Sequence, residues 1–390
     1  MTTDHPGDPS LRRWRLVLGG EAAEATGVTL RGDEAGMDRS LEALYGAARG
    51  GAGLTGRRTA ALGASAPQVA RWLGDIRSFF PKPVVQVMQQ DAIDRLDLTR
   101  LLLEPEMLEA VEPDVHLVGT LLSLNRVMPE RARESARDVV RTVVRELERR
   151  LAQRTRSAIG GALDRTARTA RPRRLADVDW NRTIHANLRH YQPAHRTVVP
   201  DRLVGYGRRR QAVQRDVVLC VDQSGSMATS VVYAGVFGAV LASMPSLRTS
   251  LVVFDTAVVD LTEHLHDPVE LLFGTQLGGG TDINRAVAYC QRLITRPAST
   301  IVMLITDLYE GGDRDEMLAR VGALTAAGVR VVVLLALSDD GAPSYDHDTA
   351  AALAALGVPA FACTPDAFPD LMAAAVERRD LTEWSERNIE

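Results

Sequence analysis

Between residues 216 and 363 the chain alternates short, largely apolar runs with amphipathic stretches of a different period. The runs at 216–221 (DVVLCV), 251–254, 301–306 (IVMLIT) and 329–335 (VRVVVLL) are continuous and rich in β-branched residues. Such runs fit strands covered by helices on both faces, since a half-exposed strand alternates apolar and polar positions. Between them, 228–244, 283–294, 315–327 and 347–356 read as helices; a short strand at 359–363 and a helix at 368–379 complete the series. This alternation predicts an α/β, doubly wound, mainly parallel sheet of Rossmann-like type. Residues 257–261 are expected to pair with 251–254 as an antiparallel edge hairpin.

The first part of the chain has the helical period instead. Leu41, Leu44 and Tyr45 fall at i, i+3, i+4, and Val69, Trp72, Leu73 and Ile76 repeat that spacing, as do Leu117, Leu121, Leu122 and Leu124. The Gly/Ala-rich stretch 46–66, Pro81-Lys82-Pro83 and Glu112-Pro113 divide it into short helices. Residues 130–160 read as one long helix, with Val139, Val140, Val143, Val144, Leu147 and Leu151 on its apolar stripe. Arginines at 131, 133, 137, 141, 145, 149 and 150 surround that stripe, and Gly160-Gly161 is expected to end the helix. The expected organisation is an arm at 1–37 with one strand at 14–18, an all-α domain at 38–160, and an irregular basic connector at 161–215 that includes Arg208-Arg209-Arg210. The α/β domain at 216–379 and a frayed polar tail at 380–390 follow.

Charge sharpens this division. Residues 131–215 carry 22 basic and 8 acidic side chains, whereas residues 216–390 carry 10 and 24. A basic middle beside an acidic half can attract nucleic acid, an acidic partner, or the other half of the same chain. Cys220, Cys290 and Cys363 lie far apart with no CxxC pair, so neither a zinc site nor a disulfide framework is supported. The polar N-terminus and the lack of a long apolar stretch lead to the expectation of a soluble, cytoplasmic protein.

Ligands of open α/β sheets bind at the carboxyl ends of the strands, near a switch in strand order. Three loops are expected there: Asp222-Gln223-Ser224-Gly225-Ser226 after the first strand, Gly278-Gly279-Gly280-Thr281-Asp282 before a helix, and Asp307 after the IVMLIT strand. Together they bring hydroxyls and carboxylates to one crevice. All-oxygen ligation of low charge suits a hard cation that keeps some waters, Mg²⁺ or Mn²⁺. Taken singly, each loop is also ordinary turn and helix-capping chemistry. A hydrolase reading of the serines lacks the GxSxG elbow, and no GxxxxGK[ST] phosphate loop is present.

Asp222-x-Ser224-x-Ser226 with Thr281 and Asp307 resembles the metal-ion-dependent adhesion site of von Willebrand factor A (VWA) domains. The resemblance implies that Ser224, Ser226 and Thr281 are direct ligands of Mg²⁺, and that Asp222 and Asp307 act directly or through water. Asp282 would cap the next helix or support the site. The segment DWNRTIHANLRHYQPAHRTVVPDRLVGYGRRR, leading into DVVLCVDQSGSM, is similar to bacterial CoxE-like VWA proteins associated with MoxR-type AAA+ ATPases. That likeness implies a non-enzymatic, chaperone-like adaptor that works with such an ATPase and takes an Asp or Glu of a client on its metal. The alternatives are an RNA-binding VWA protein of Ro type using the Arg-rich middle, or a chelatase-type VWA subunit. His264 and His266, the histidines at 185, 190 and 195, and Arg31-Gly32-Asp33 are read as structural or coincidental.

Overall fold

The computed structural model describes residues 9–45, 66–96, 98–166, 168–169, 175, 178–206, 215–275, 278–337 and 343–388. It divides into two compact units, residues 1–143 and 144–390. The expected triple-arginine segment 208–210 and most of the Gly/Ala-rich stretch 46–66 lie outside the described residues.

The first unit is helical. It contains α1 (Pro9–Leu18), α2 (Ala23–Thr26), α3 (Asp33–Tyr45), α4 (Ala66–Phe79), α5 (Lys82–Leu96), α6 (Pro105–Ala110) and α7 (Val115–Leu124). The side chains picked out by spacing form its core: Leu44, Val69, Leu73, Ile76, Leu117, Leu121 and Leu122 are all buried. Polar groups tie the helices where apolar contact ends. The Trp72 indole donates to the Ser40 carbonyl at 3.0 Å, and Gln89 exchanges two hydrogen bonds with the Glu112 backbone. The strand expected at 14–18 is instead the end of α1. A single run of five apolar or basic residues does not distinguish the two periods, and Arg15 settles it by forming a bidentate pair with Asp38 of α3 at 2.8 and 3.1 Å.

Helix α8 (Glu130–Thr166) crosses the division between the units and runs past Gly160-Gly161, which does not end it. The connector is less irregular than expected. It holds α9 (Trp180–Ala186) and two small antiparallel ladders, β1 (Arg168–Thr169) with β4 (Gly205–Tyr206) and β2 (Tyr191–Gln192) with β3 (Thr197–Val198). Asn187 is buried and organises this segment by donating to the Thr183 and Arg202 carbonyls while accepting from the Asp201 and Arg202 amides.

The second unit is built on β5 (Arg215–Asp222), β6 (Leu247–Phe254), β7 (Val258–Asp260), β8 (Thr300–Ile305), β9 (Arg330–Leu337) and β10 (Ala360–Cys363). The order across the sheet is β10-β9-β8-β5-β6-β7, parallel throughout except for the antiparallel β7 at one edge. This is the doubly wound sheet expected from the apolar runs. β6 begins four residues before its apolar run because Leu247 and Thr249 are buried while Arg248 is exposed, an alternation the search for continuous runs passes over. Helices α12 (Ile283–Leu293), α13 (Arg314–Ala326) and α14 (His347–Ala355) cover one face. α10 (Ala228–Ala242) is packed into the core with α15 (Phe368–Glu377), where the Phe237 and Phe368 rings lie 4.2 Å apart. α11 (Pro268–Gly274) follows the β7 edge. The stretch Gly225–Ala242 is long and apolar enough by composition to cross a membrane, contrary to the short apolar runs counted in sequence; two-thirds of it is buried inside this unit. The tail expected to fray is helix α16 (Leu381–Asn388), held by buried Leu381 and Trp384, the latter stacked near Phe361.

Candidate functional site

The chain leaves β5 and β8, adjacent parallel strands, at the point where the strand order reverses. Asp222 is the last residue of β5 and is fully buried. One of its carboxylate oxygens, Oδ1, accepts the Ser224 amide at 2.8 Å; the other, Oδ2, accepts the Thr306 hydroxyl at 2.8 Å. Burial pushes its pKa above the ordinary carboxylate value, the two donors oppose that rise, and the charge of Asp307 adds to it.

Ser224 and Ser226 flank Gly225 in the turn that follows. Their hydroxyl oxygens are 3.2 Å apart, and Ser226 donates to Asp307 Oδ2 at 2.8 Å. Asp307 sits two residues beyond β8 and is buried. The next residue, Leu308, has a φ of 67° although it is branched and fully buried. A bulky residue in the left-handed region carries about 1–3 kcal/mol of strain, held in place here by packing and by the Leu308 amide donating to the Thr306 hydroxyl at 3.2 Å.

The third loop is joined to the other two through its backbone. Gly278 and Gly279 both adopt a φ of 111°, which side-chain-bearing residues rarely reach, and Gly278 donates to the Gln223 carbonyl at 3.0 Å. Asp282 donates to the Asp255 carbonyl at the end of β6, and Gly311 donates to the Thr281 carbonyl at 2.8 Å. A Cβ at Gly311 would stand 2.7 Å from that carbonyl oxygen, so only glycine permits the approach. Asp282 caps α12 by accepting the Arg285 amide.

Of the five residues singled out in sequence, Asp222, Ser224, Ser226 and Asp307 thus form one hydrogen-bonded set. Thr281 is tied to the Asp307 loop by a main-chain bond from Gly311, and among the described residues its side chain makes no hydrogen bond to the other four. Two contributors escaped the sequence reading. Thr306 looked like the end of an apolar strand, yet its hydroxyl braces Asp222 from beneath. Glu310 accepts the Ile283 and Asn284 amides with one oxygen and the Gly312 amide with the other, fixing the Asp307 loop to the start of α12. Burial raises its pKa, and Asp282 contributes to the rise while the three amides oppose it. A Glu three residues after Asp307 is a visible signal; a buried Thr just past the end of a strand is none.

The donor chemistry fits a small hard cation. Two neutral hydroxyls and a carboxylate meet in direct contact, an all-oxygen set of low charge. Both oxygens of Asp222 are already engaged, which suits an indirect role for it rather than direct ligation.

A model of the family described as VWA domain containing CoxE-like protein matches residues 147–372. The Escherichia coli (strain K12) protein YehP, described as uncharacterized, is 38% identical over 358 residues, covering 91% of this chain and 93% of its own. Among solved structures, a conserved hypothetical protein BatB from Bacteroides thetaiotaomicron is 15% identical and covers 42% of this chain and 98% of its own, with a TM-score of 0.34. A von Willebrand factor type A protein from Catenulispora acidiphila is 14% identical and covers 43% of this chain and 42% of its own, with a TM-score of 0.33.

Proposed function

The chain belongs to the family of VWA domain containing CoxE-like proteins, and on that premise we propose that it is a non-catalytic adaptor which grips an acidic group of a partner through a divalent cation. Ser224, Ser226 and Thr281 would hold the cation directly, Asp307 directly or through water, and Asp222 through water. A bound Mg²⁺, or Mn²⁺ in its place, supplies a positive charge able to take one carboxylate oxygen from outside the chain. The observation that carries the reading is the Ser226 hydroxyl in contact with both Ser224 and Asp307 at the switch point of the sheet. Asp222 and Thr306 hold the loop rigid from below, and Glu310 and Gly311 set the position of Thr281. Nothing in this arrangement requires turnover; its residues orient oxygens.

The partner we propose is a MoxR-type AAA+ ATPase, its client, or both, in a cytoplasmic setting where three separate buried thiols stay reduced. An RNA-binding role for the basic segment is the weaker reading. Arg150 and Arg154 of α8 pair with Asp366 and Asp370 at 2.6 and 3.0 Å, so part of that charge is met within the chain. Capture of partners from lysate with and without EDTA tests the proposal, with Asp222→Ala and Ser224→Ala as controls. Capture should be lost with EDTA and in both variants, each still folded by circular dichroism. The same partners in both lanes would refute it.

A further inference from the structure

At the opposite end of β6 from the candidate metal crevice lies a cleft of about 930 Å³, inside the second unit. One wall is α8, where Arg145, Arg149, Ala152 and Arg156 recur at i, i+4, i+7 and i+11 and so share one helical face. Arg248 of β6 and His266 add to the basic lining, against only Glu148 and Glu263. Among the described residues Arg145, Arg149 and Arg248 make no ion pair or hydrogen bond, and all three are exposed. Arg145 and Arg149 belong to the basic segment 131–215, and Arg248 is one of the 10 basic side chains of the acidic residues 216–390.

The floor of the cleft is a strand edge. β7 covers only Val252–Phe254 of β6. One step earlier, Leu251 donates to the Thr262 hydroxyl at 3.1 Å and accepts the Leu261 amide at 2.8 Å, which shows that its polar groups face away from β5. Strand alternation then turns the amide and carbonyl of Thr249 the same way. Thr249 lines the cleft and is only 7% exposed, and its buried hydroxyl has no partner. Its backbone amide and carbonyl likewise make no hydrogen bond among the described residues. Buried polar groups are nearly always paired, so an edge with an amide, a carbonyl and a hydroxyl unmet at one residue is a place for something to bind.

We propose that this cleft takes an extended acidic peptide from a partner, which adds a short strand along the free edge of β6 at Thr249 while its carboxylates meet Arg145, Arg149 and Arg248. A strand edge recognises main chain, which nucleic acid lacks, and the arginines select for acidic side chains. The site is separate from the candidate metal crevice and does not depend on it.

The test uses the full chain in EDTA, so that the metal crevice takes no part, and a fluorescein-labelled peptide Glu-Val-Glu-Val-Glu-Val-Glu followed by anisotropy. Binding is expected at micromolar concentrations, with slowed exchange of the Thr249 amide. The Lys-Val counterpart should not bind. N-methylation of alternate peptide amides, and the double variant Arg145→Glu/Arg149→Glu, should each weaken binding at least tenfold. Equal affinity of the methylated peptide would refute strand pairing, and an unchanged double variant would refute the arginine wall. Tighter binding of a single-stranded oligonucleotide than of the peptide, lost in the same variant, would also overturn the proposal in favour of a phosphate-binding surface. Loss of EDTA-sensitive partner capture, by contrast, would leave this cleft unaffected.

Discussion

Thr306→Val removes one hydroxyl from beneath Asp222 and changes almost nothing in shape. The hydroxyl is fully buried, donates to Asp222 Oδ2 at 2.8 Å and accepts the Leu308 amide at 3.2 Å. A hydrogen bond to a charged group contributes about 1.5–3 kcal/mol and a neutral one about 1 kcal/mol, so the variant should lose about 2–4 kcal/mol. All three cysteines lie in the sheet unit, on β5, α12 and β10, and are buried. Pulsed thiol alkylation across a urea series therefore reports the unfolding of this unit apart from the helical one. With a urea slope of about 3 kcal/mol per M, the midpoint should fall by roughly 1 M in metal-free buffer. The direction with pH follows from the raised pKa of Asp222. Its ionised form is disfavoured in the fold, so its penalty grows as pH rises from the ordinary value of 3.8 through the raised one, and vanishes below both. Losing the Thr306 donor enlarges that penalty, and the gap between variant and parent should narrow as pH falls through the same window. A midpoint shift below about 0.2 M at neutral pH, or a gap that widens in acid, would show that Thr306 does not support the carboxylate.

Gly311→Ala forces a methyl group to within 2.7 Å of the Thr281 carbonyl; overpacking of this kind costs about 1–3 kcal/mol and should weaken Mg²⁺ binding by calorimetry, and an unchanged affinity would separate Thr281 from the site. Ser226→Ala breaks the contact between the β5 and β8 loops, and should reduce Mg²⁺ affinity at least tenfold with little change in thermal midpoint. Trp384→Ala should cost about 3 kcal/mol by urea denaturation, because the indole is buried against Phe361; a cost near zero would restore the picture of a frayed tail. Cys363, its pKa pushed up to about 12 by burial, should resist iodoacetamide at pH 8 until urea unfolds the unit, whereas labelling in the native state would place it at the surface.

Much of the candidate site was legible in sequence because its chemistry is local. Asp222, Ser224 and Ser226 lie within five consecutive positions, and the flanking apolar runs place that stretch at a strand's carboxyl end. Thr281 and Asp307 follow from the same strand–helix alternation. What spacing does not carry is which atoms meet. Ser226 and Asp307 are 81 positions apart, and only the parallel pairing of β5 with β8 puts the hydroxyl on the carboxylate. The role of Thr306 depends on the same pairing, since its hydroxyl reaches Asp222 across 84 positions.

The sequence by itself determined the fold class, since continuous β-branched runs between helical stretches leave a covered parallel sheet as the consistent arrangement, and it determined the helical character of the described residues within 38–160. Tertiary structure decided what local pattern leaves ambiguous. Arg15 became helical through a pair with Asp38, α8 ran through two glycines, and the polar tail became a helix because Trp384 found Phe361. It also decided the fate of the arginine stripe. Arg150 and Arg154 are met by Asp366 and Asp370, while Arg145 and Arg149, one helical face away, are left over an open strand edge. Charge along a helix is a sequence property, but whether it is neutralised depends on what the fold brings within about 4 Å of it.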